Sequence, residues 1–407
     1  MHMDPLLPTL VAALAGVLLV GLLMRRLKQP HVIAYLLGGV LLGPHCLGLF
    51  TDEATLARLG EVGVVMLLFF VGMEVSFRHL ASGWRVSVGG TALQIGASLA
   101  CSFAIGMWLD WPLPRMLLIG FAISLSSTAV VVSMLRSKGE LDTPRGRDAI
   151  GILIAQDMAI VPMLVILGTF VGESTSMVTM SKQIVGAVLL GALLAVIAKR
   201  DKLHLPFGKL LRADHEFQVF AAFLLCFGFA WITALLGLST AMGAFVAGVV
   251  VAAARETDWV HRSLDPFRVL FVALFFVSVG LLIDLQFLRE NWVAVSILVV
   301  ATMLLNTVIN AVMLRMLGRR WPTAWAIGAL LAPVGEFSFV LAAVGRAGGI
   351  ISEFAYQGIL GVIGCTLLLS PLWSAIVTRL GGTRLGVDPI ASAPVVAPKP
   401  KAEEVAG

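Results

Sequence analysis

Two carboxylates lie near the middle of long apolar stretches, where charged side chains are otherwise scarce. Asp157 follows Gln156 within a stretch over residues 148–171, and Glu336 lies within a stretch over residues 322–345. A charge at the centre of a bilayer costs at least about 2.5–3.5 kcal/mol on insertion scales, so such residues are functional candidates. A buried carboxylate that binds either a proton or a dehydrated cation can couple the movement of the two. The alternative is a structural carboxylate, tied to hydroxyls or backbone amides.

Two of the apolar stretches are interrupted at mid-length by residues that disfavour a continuous helix. The first interruption has four hydroxyl side chains within five residues: Ser124, Ser126, Ser127 and Thr128. These side chains compete with the helix for backbone hydrogen bonds. The second contains Pro333 and Gly335 directly before Glu336, and proline removes a backbone donor. We therefore predict two broken helices that face Asp157, with Glu336 offsetting a positive helix N-terminus. Helix packing through small residues is the alternative for the hydroxyl cluster.

The composition places these stretches in a helical membrane protein. Hydrophobic residues make up 59% of the 407 residues and charged residues 13%, whereas a soluble domain has about 25% charged residues. A spanning helix needs about 20 mostly apolar residues, and the runs here are too long and too continuous for barrel strands. The predicted fold class is an all-α membrane protein with about 13 transmembrane helices. These spans cover residues 7–24, 31–50, 57–77, 86–110, 113–135, 148–171, 183–199, 216–236, 238–254, 266–287, 291–317, 322–345 and 354–378.

The basic residues of the loops predict the orientation of the chain. All but five of the 29 Lys and Arg residues follow odd-numbered spans or lie in the C-terminal tail. Because cytoplasmic loops are rich in Lys and Arg, we expect the N-terminus outside and the C-terminus inside a cell inner membrane. The net charge of +5 then requires no nucleic-acid partner. Residues 382–407 are expected to form a disordered cytoplasmic tail, with no C-terminal nucleotide-binding domain in this chain.

Other polar residues have simpler interpretations. Glu74 and Asp148 lie near the cytoplasmic boundary and are expected to form ion pairs with basic neighbours: Arg78, Arg145 and Arg147. The four cysteines are far apart and are interpreted as small apolar packing residues, so no metal site is predicted beyond that of a transported monovalent cation.

The positions of the two interruptions predict an internal symmetry. They lie in the fifth and twelfth spans, and an odd separation by seven spans inverts the second segment across the membrane. Transporters built from inverted repeats place their substrate site near the midplane, beside discontinuous helices. Spans 4–6 should therefore mirror spans 11–13. The residues themselves show no convincing repeat, so this prediction depends on the topology and on the positions of the interruptions.

Seven groups of motifs, in order along the chain, carry a resemblance to a known family. They are HVIAYLLGGVLLGP at residues 31–44; EVGVVMLLF at 61–69 with GME at 72–74; LSSTA at 125–129; QD at 156–157; GLS at 237–239 with GAFVAG at 243–248; FFVSVG at 275–280; and GEFSFV at 335–340. Together they resemble the cation/proton antiporter-2 family, especially its Kef-type potassium/proton branch, over about residues 8–380.

The resemblance implies a homodimer with the sodium/proton-exchanger fold, formed by residues 1–381 in contact with membrane lipid. A core of spans 4–6 and 11–13 would move against a dimerisation scaffold of spans 1–3 and 8–10, as an elevator. The implied cation- and proton-binding residues are Asp157, Gln156, Ser126, Ser127 and Thr128. The supporting residues of the second break and the core are Pro333, Gly335, Glu336 and Asn306. The resemblance implies no cofactor and no enzymatic activity, only a transported potassium or sodium ion and a proton.

Two departures from the family pattern bear on the mechanism. Electrogenic relatives have a lysine that pairs with the aspartate, whereas the matching position here is Asn306, which favours exchange of one cation for one proton. Relatives also commonly have Gln-Gly-Gly-Glu where this chain has Pro-Val-Gly-Glu at residues 333–336. Potassium/proton antiport is the preferred interpretation. A sodium/proton antiporter, a sodium-coupled solute symporter and a gated cation channel are the alternatives.

Overall fold

The computed structural model describes residues 6–26, 29–44, 46–49, 53–74, 84–170, 181–182, 215–254 and 260–380. Of the seventh predicted span, residues 185–186, 188–190, 192–193 and 196–197 are described as helical. The predicted tail, residues 382–407, lies outside the described residues.

Every named element in these ranges is a helix. In chain order they are α1 Leu6–Arg26, α2 His31–Leu42, α3 Glu53–Glu74, α4 Arg85–Trp108, α5 Leu113–Ser124, α6 Thr128–Ser137, α7 Pro144–Gly168, α8 His215–Leu235, α9 Thr240–Ala253, α10 Val260–Leu281, α11 Leu285–Glu290, α12 Trp292–Met316, α13 Trp321–Leu330, α14 Phe337–Ala347 and α15 Glu353–Leu380. Six of them are long and apolar enough to cross a membrane. The predicted all-helical membrane fold is confirmed.

Both predicted interruptions are present. The fifth span is divided into α5 and α6, and the twelfth into α13 and α14. Ser127 precedes α6 as its N-cap residue in an extended backbone conformation, and its hydroxyl accepts a hydrogen bond from the backbone N–H of Val130 at 3.4 Å. The first backbone N–H groups of a helix have no acceptor within the helix, and such N-capping supplies one. The hydroxyl cluster therefore begins a new half-helix, which is the consequence expected of its sequence.

Two span ends differ from the sequence-based expectation. The second span was predicted to reach residue 50, but α2 ends at Leu42, directly before Gly43 and Pro44. The residue before a proline is disfavoured in the α conformation, which explains the early end. The tenth span ends at Leu281, and a short α11 begins after Asp284. The Asp284 carboxylate accepts bonds from two backbone N–H groups at 2.8 and 3.0 Å and so caps this additional helix.

Glycine contacts hold α3 against α9. A Cβ atom at Gly72 would meet the carbonyl oxygen of Phe245, and one at Gly248 would meet that of Phe69. Small residues at such positions let helix backbones approach closely within a membrane. Elsewhere α2 and α3 pack on α10, α4 packs on α5, and α12 packs on α13.

The two interruptions cross and bond to each other. Ser126 and Val334 form an isolated antiparallel bridge. The backbone N–H of Ser127 donates to the Pro333 carbonyl at 3.2 Å, and the N–H of Gly335 donates to the Leu125 carbonyl at 2.8 Å. Broken helices within a membrane must satisfy their backbone groups inside the protein, and this crossing does so for both.

Gly335 is required by the closeness of the crossing. A Cβ atom there would lie 2.6 Å from the carbonyl oxygen of Ser126, which is shorter than real Cβ contacts. The surrounding residues from Leu331 to Phe339 are all buried, so the backbone has no room to retreat. The crossing point is thus fixed in position at the centre of the helices that surround it.

Candidate functional site

Asp157 lies beside the start of the half-helix α6. Its side chain is only 9% exposed on α7. The hydroxyl of Thr128, the first residue of α6, donates toward the carboxylate and lies 3.0 Å from Oδ2 and 3.3 Å from Oδ1. The N-terminus of a helix carries a partial positive charge, which favours an anion there. A buried carboxylate with a hydroxyl oxygen at its side can hold either a proton or a small cation.

Gln156 bonds to the protein through both ends of its amide. Its Oε1 accepts from the backbone N–H of Ser126 at 3.0 Å. Its Nε2 donates to Oε1 of Gln94 at 2.5 Å, and Nε2 of Gln94 donates to the Ser124 carbonyl at 3.0 Å. Gln94 was not identified from the sequence, although it is the one carboxamide side chain on α4. The pair connects α4 and α7 to both edges of the first break.

The hydroxyls of Ser126 and Ser127 reach the second break. Ser126 Oγ donates to the carbonyl of Leu331 at 2.7 Å, and Ser127 Oγ donates to Oε2 of Glu336 at 3.0 Å. Glu336, 8% exposed, occupies the position before α14 without a side-chain bond that caps that helix. Its carboxylate instead meets the hydroxyl that caps α6. Glu336 therefore faces the N-terminus of α6, in the first half of the protein, and not that of α14.

The second break is supported in the same way as the first. Nδ2 of Asn306 on α12 donates to the carbonyl of Ala332 at 3.1 Å, as Gln94 does to Ser124. The backbone N–H of Val334 donates to Oγ1 of Thr366 on α15 at 3.3 Å.

The hydrogen bonds around the two breaks follow the same pattern in each half of the protein, although the residue types differ. Ser124 and Ala332 are separated by the same number of residues as Ser126 and Val334. In each half, a side-chain amide from the preceding long helix supports the carbonyl before the break, and a side chain from the following helix supports the central N–H. The predicted inverted repeat is thus visible in hydrogen bonding rather than in sequence identity.

A cavity of about 550 Å³ lies between α3, α9, α10 and α14. Its polar lining side chains are Glu61, Ser239, Thr240, Ser278, Arg346 and Tyr356. Arg346 forms an ion pair with Glu353 at 2.6 Å and lies 4.8 Å from the ring centroid of Tyr356. Phe339 also lines the cavity and packs edge-to-face on the buried Phe276, so an apolar contact lies beside this space. Asp157 and Thr128 are not among the residues that line this cavity.

The ion pair expected of Asp148 is present, but its partner is a different arginine. Its carboxylate forms an ion pair with Arg319, from Nε to Oδ2 at 2.7 Å, instead of with Arg145 or Arg147. Arg319 follows α12 in the chain, so this pair links the two halves at one end of the bundle. The side chain of Glu74 lies outside the described residues. Within the described part of the chain, no three His, Cys, Asp or Glu side chains are grouped as a metal site would require.

Comparison with known proteins identifies the family. The model of the family described as "Sodium/hydrogen exchanger, transmembrane" matches residues 11–379. The chain belongs to this exchanger family. The iron transporter MagA of Paramagnetospirillum magneticum is 37% identical over 380 residues, which cover 93% of this chain and 87% of MagA. The putative cation/proton antiporter YbaL of Escherichia coli is 29% identical over 390 residues, covering 93% of this chain and 69% of YbaL.

Further relatives agree with this assignment to the exchanger family. The glutathione-regulated potassium-efflux system protein KefC of Cronobacter sakazakii is 32% identical over 370 residues, covering 87% of this chain and 58% of KefC. The sodium proton antiporter MjNhaP1 from Methanocaldococcus jannaschii, solved at pH 8, has the same fold with a TM-score of 0.69 at 19% identity, covering 94% of this chain and 100% of MjNhaP1. The resemblance to cation/proton antiporters is confirmed.

Proposed function

We propose that this exchanger exports or imports a monovalent cation, preferably potassium, in exchange for a proton, with Asp157 binding the two in turn. The observation that carries the proposal is the position of Asp157. Its buried carboxylate lies at the N-terminus of an interrupted helix, with the Thr128 hydroxyl 3.0 Å away. A single negative charge with a hydroxyl oxygen beside it suits one monovalent cation or one proton.

Competition for this carboxylate couples the two ions. A bound proton or cation offsets the charge of Asp157, whereas an empty ionised site must be desolvated to cross an apolar barrier. The empty carrier therefore does not return, and exchange takes the place of leak. The packing of Phe339 on Phe276, between α14 and α10, is a candidate part of that barrier. We propose that the site crosses the barrier by an elevator movement.

The proposed moving and fixed parts follow the packing of the helices. The crossing joins α5, α6, α13 and α14, and the glutamine pair adds α4 and α7, which supports a core of spans 4–6 and 11–13. Close contacts join α2, α3, α9 and α10, which supports a scaffold of spans 1–3 and 8–10. We propose that two scaffolds meet in a homodimer, within a lipid bilayer, and that residues 1–381 form this membrane domain.

The choice of cation rests on relatives and on the donor set. KefC is named as a potassium-efflux protein, which favours potassium. MagA is named as an iron transporter, which makes iron the alternative cargo. Among the described residues, Asp157 brings one carboxylate and Thr128 one hydroxyl, and both are hard oxygen donors. One charge balances potassium or sodium, and iron would need further ligands.

Exchange by purified protein in liposomes tests the proposal. A pH-sensitive dye inside the vesicles reports proton movement after potassium, sodium, rubidium or ferrous iron is added outside. Wild-type protein should respond most strongly to potassium. Asp157→Asn keeps the side-chain size, removes the titrating charge and should abolish the response. Asp265→Asn changes an exposed carboxylate paired with Arg268 and should leave it intact.

The other outcomes separate the alternatives. Exchange that survives Asp157→Asn would reject Asp157 as the carrier. Potassium flux that proceeds without proton movement would indicate a channel, and proton movement that requires an organic solute would indicate a symporter.

A further inference from the structure

Three hydrogen bonds connect Gln94 to the first break in a fixed order. Nε2 of Gln94 donates to the Ser124 carbonyl, Oε1 of Gln94 accepts from Nε2 of Gln156, and Oε1 of Gln156 accepts from the Ser126 N–H. A backbone carbonyl can only accept and a backbone N–H can only donate. The carbonyl at one end of this series of bonds and the N–H at the other end therefore require the same orientation of each glutamine amide. Neither amide can turn over without placing two donors or two acceptors against each other.

These three hydrogen bonds are buried, so reversing or breaking them costs free energy. Gln94, Gln156 and Ser124 are each 0% exposed, so bulk water does not reach them. A buried donor or acceptor that loses its partner keeps its full desolvation cost, about 1–3 kcal/mol. The carbonyl of Ser124 and the N–H of Ser126 are groups that the interruption of the helix has left without a helical partner. The two glutamines therefore hold the backbone of the break in one conformation.

We propose that Gln94 is a positioning residue for ion binding at Asp157, an inference that rests on the proposed exchange function. Gln156 is adjacent to Asp157 on α7, and Ser126 lies two residues before Thr128, whose hydroxyl bonds to the Asp157 carboxylate. Gln94 fixes the Gln156 amide, Gln156 fixes the Ser126 backbone, and this backbone places the Thr128 hydroxyl. Gln94 itself contacts neither Asp157 nor the cation, and it acts only through these three hydrogen bonds.

The proposal changes the role expected of Gln156. The sequence suggested that Gln156 binds the cation. Its amide oxygen already accepts the Ser126 N–H, and its amide nitrogen already donates to Gln94. Gln156 is therefore assigned to holding the break, and the Thr128 hydroxyl is the group of the first break that bonds to the Asp157 carboxylate.

Apart from Asp157, whose carboxylate meets Thr128, few titratable groups surround the break. Glu336, from the second break, meets Ser127, the residue before Thr128. On α15, whose Thr366 bonds to the second break, the acidic side chain is Glu353 in the first turn. The basic side chains of the described residues of α4, α6, α7 and α12 lie near helix ends, at Arg85, Arg136, Arg145, Arg147 and Arg315. A new titrating group at position 94 would therefore be detected against a simple background.

Two variants of Gln94 and a matched control test the proposal in liposomes. Gln94→Met keeps the length of the side chain and removes both hydrogen bonds. The break then adopts its binding conformation only part of the time, and the apparent KM rises by the inverse of that fraction. For two ordinary hydrogen bonds we expect a KM about tenfold higher, with kcat within about twofold of wild type.

Gln94→Glu makes the same bonds conditional on pH. A protonated carboxyl can donate to the Ser124 carbonyl and accept from Gln156, whereas an ionised one cannot donate. The ratio of Gln94→Glu exchange to wild-type exchange at subsaturating cation should be near one at acidic pH and fall reversibly as the pH rises. Ser102→Ala is the control, because Ser102 on the same helix also donates to a carbonyl of α5, that of Met116 at 2.7 Å, but away from the break. Ser102→Ala should have the wild-type KM, and the ratio of its exchange to wild-type exchange should not change with pH.

The outcomes distinguish this inference from the function on which it rests. Wild-type protein without exchange, or active Asp157→Asn protein, overturns the proposed function. If exchange and its loss in Asp157→Asn are as expected, a wild-type KM in Gln94→Met or a pH-independent ratio in Gln94→Glu overturns the role of Gln94. Should Gln94→Met not be recovered in folded form, the Gln94→Glu ratio decides, because a folding defect does not reverse with pH in one sample.

Discussion

The Thr128 hydroxyl offers the most direct measure of how the ionised Asp157 is stabilised. Thr128 Oγ1 lies 3.0 and 3.3 Å from the two carboxylate oxygens, so this hydroxyl is within hydrogen-bonding distance of both. Valine has the shape of threonine without the donor. Thr128→Val therefore removes this bond and one oxygen that the cation can contact, while it leaves the space beside Asp157 filled.

The expected effect follows from the charge of the acceptor. Hydrogen bonds to charged groups contribute about 1.5–3 kcal/mol, and each 1.4 kcal/mol changes an equilibrium constant about tenfold. The cation-loaded carboxylate is ionised, so it needs the hydroxyl more than the protonated form does. We expect the KM for potassium to rise by about 10- to 100-fold in Thr128→Val. Thr128→Ser keeps the oxygen and loses only a methyl group, and its KM should stay within about threefold of wild type.

The assay is initial proton flux against external potassium concentration, in liposomes that contain equal amounts of each protein. Size-exclusion profiles in detergent check that the variants are folded. A KM for Thr128→Val within about threefold of wild type would show that the hydroxyl contributes nothing to cation binding. If Thr128→Ser is as impaired as Thr128→Val, the methyl group and its packing matter, and the argument from the hydrogen bond is wrong.

Two further predictions concern stoichiometry and orientation. Because Asn306 cannot titrate and Glu336 is bonded to Ser127, we expect exchange of one cation for one proton, so the proton gradient at which net flux vanishes should not depend on an imposed voltage. The measurement uses valinomycin potentials with sodium as the exchanged ion, and a voltage-dependent null point that disappears in Glu336→Gln would identify a second proton carrier. We also expect the C-terminus in the cytoplasm and the N-terminus outside. A fluorescent protein fused after residue 407 should then mature, and a dark fusion with an active periplasmic reporter at the same place would reverse the orientation.

The sequence predicted the parts of the site that arise from local chemistry. Four hydroxyls around residue 126 and the Pro-Val-Gly-Glu segment are incompatible with uninterrupted apolar helices, so both breaks could be located. A carboxylate in the middle of a span is conspicuous for the same reason. Residue type and position along a span were sufficient for these predictions, because the membrane allows few exceptions to helical backbone bonding.

Contacts between distant parts of the chain could not be predicted. Ser127 and Glu336 are separated by 209 residues, and Ser126 and Leu331 by 205. Asp148 pairs with Arg319 across 171 residues, although two arginines lie within three residues of it in the sequence. Gln94 is also distant in sequence from the break that it supports, and a single amide in an apolar helix does not show which carbonyl it will reach. Such partners are set by the packing of the two halves.

The crossing is symmetric in its backbone and asymmetric in its charges, and this difference explains why one half would carry the exchange. Thr128 and Ser127, adjacent at the start of α6, direct their hydroxyls to Asp157 and to Glu336 respectively. In the second half, Thr366 on α15 takes the place of Gln156, and the acidic side chain of α15 is Glu353 in its first turn. The two carboxylates therefore gather at one helix end.

The electrostatics of that helix end favour a bound positive ion. A helix N-terminus supplies roughly half a positive charge, and two ionised carboxylates would bring two negative ones. The remaining negative charge is too costly to leave uncompensated in a buried place. On the proposed mechanism, a proton or a monovalent cation at Asp157 reduces this charge by one unit, so either ion can compensate it. Interchangeable compensation of one buried charge is the physical condition for exchange.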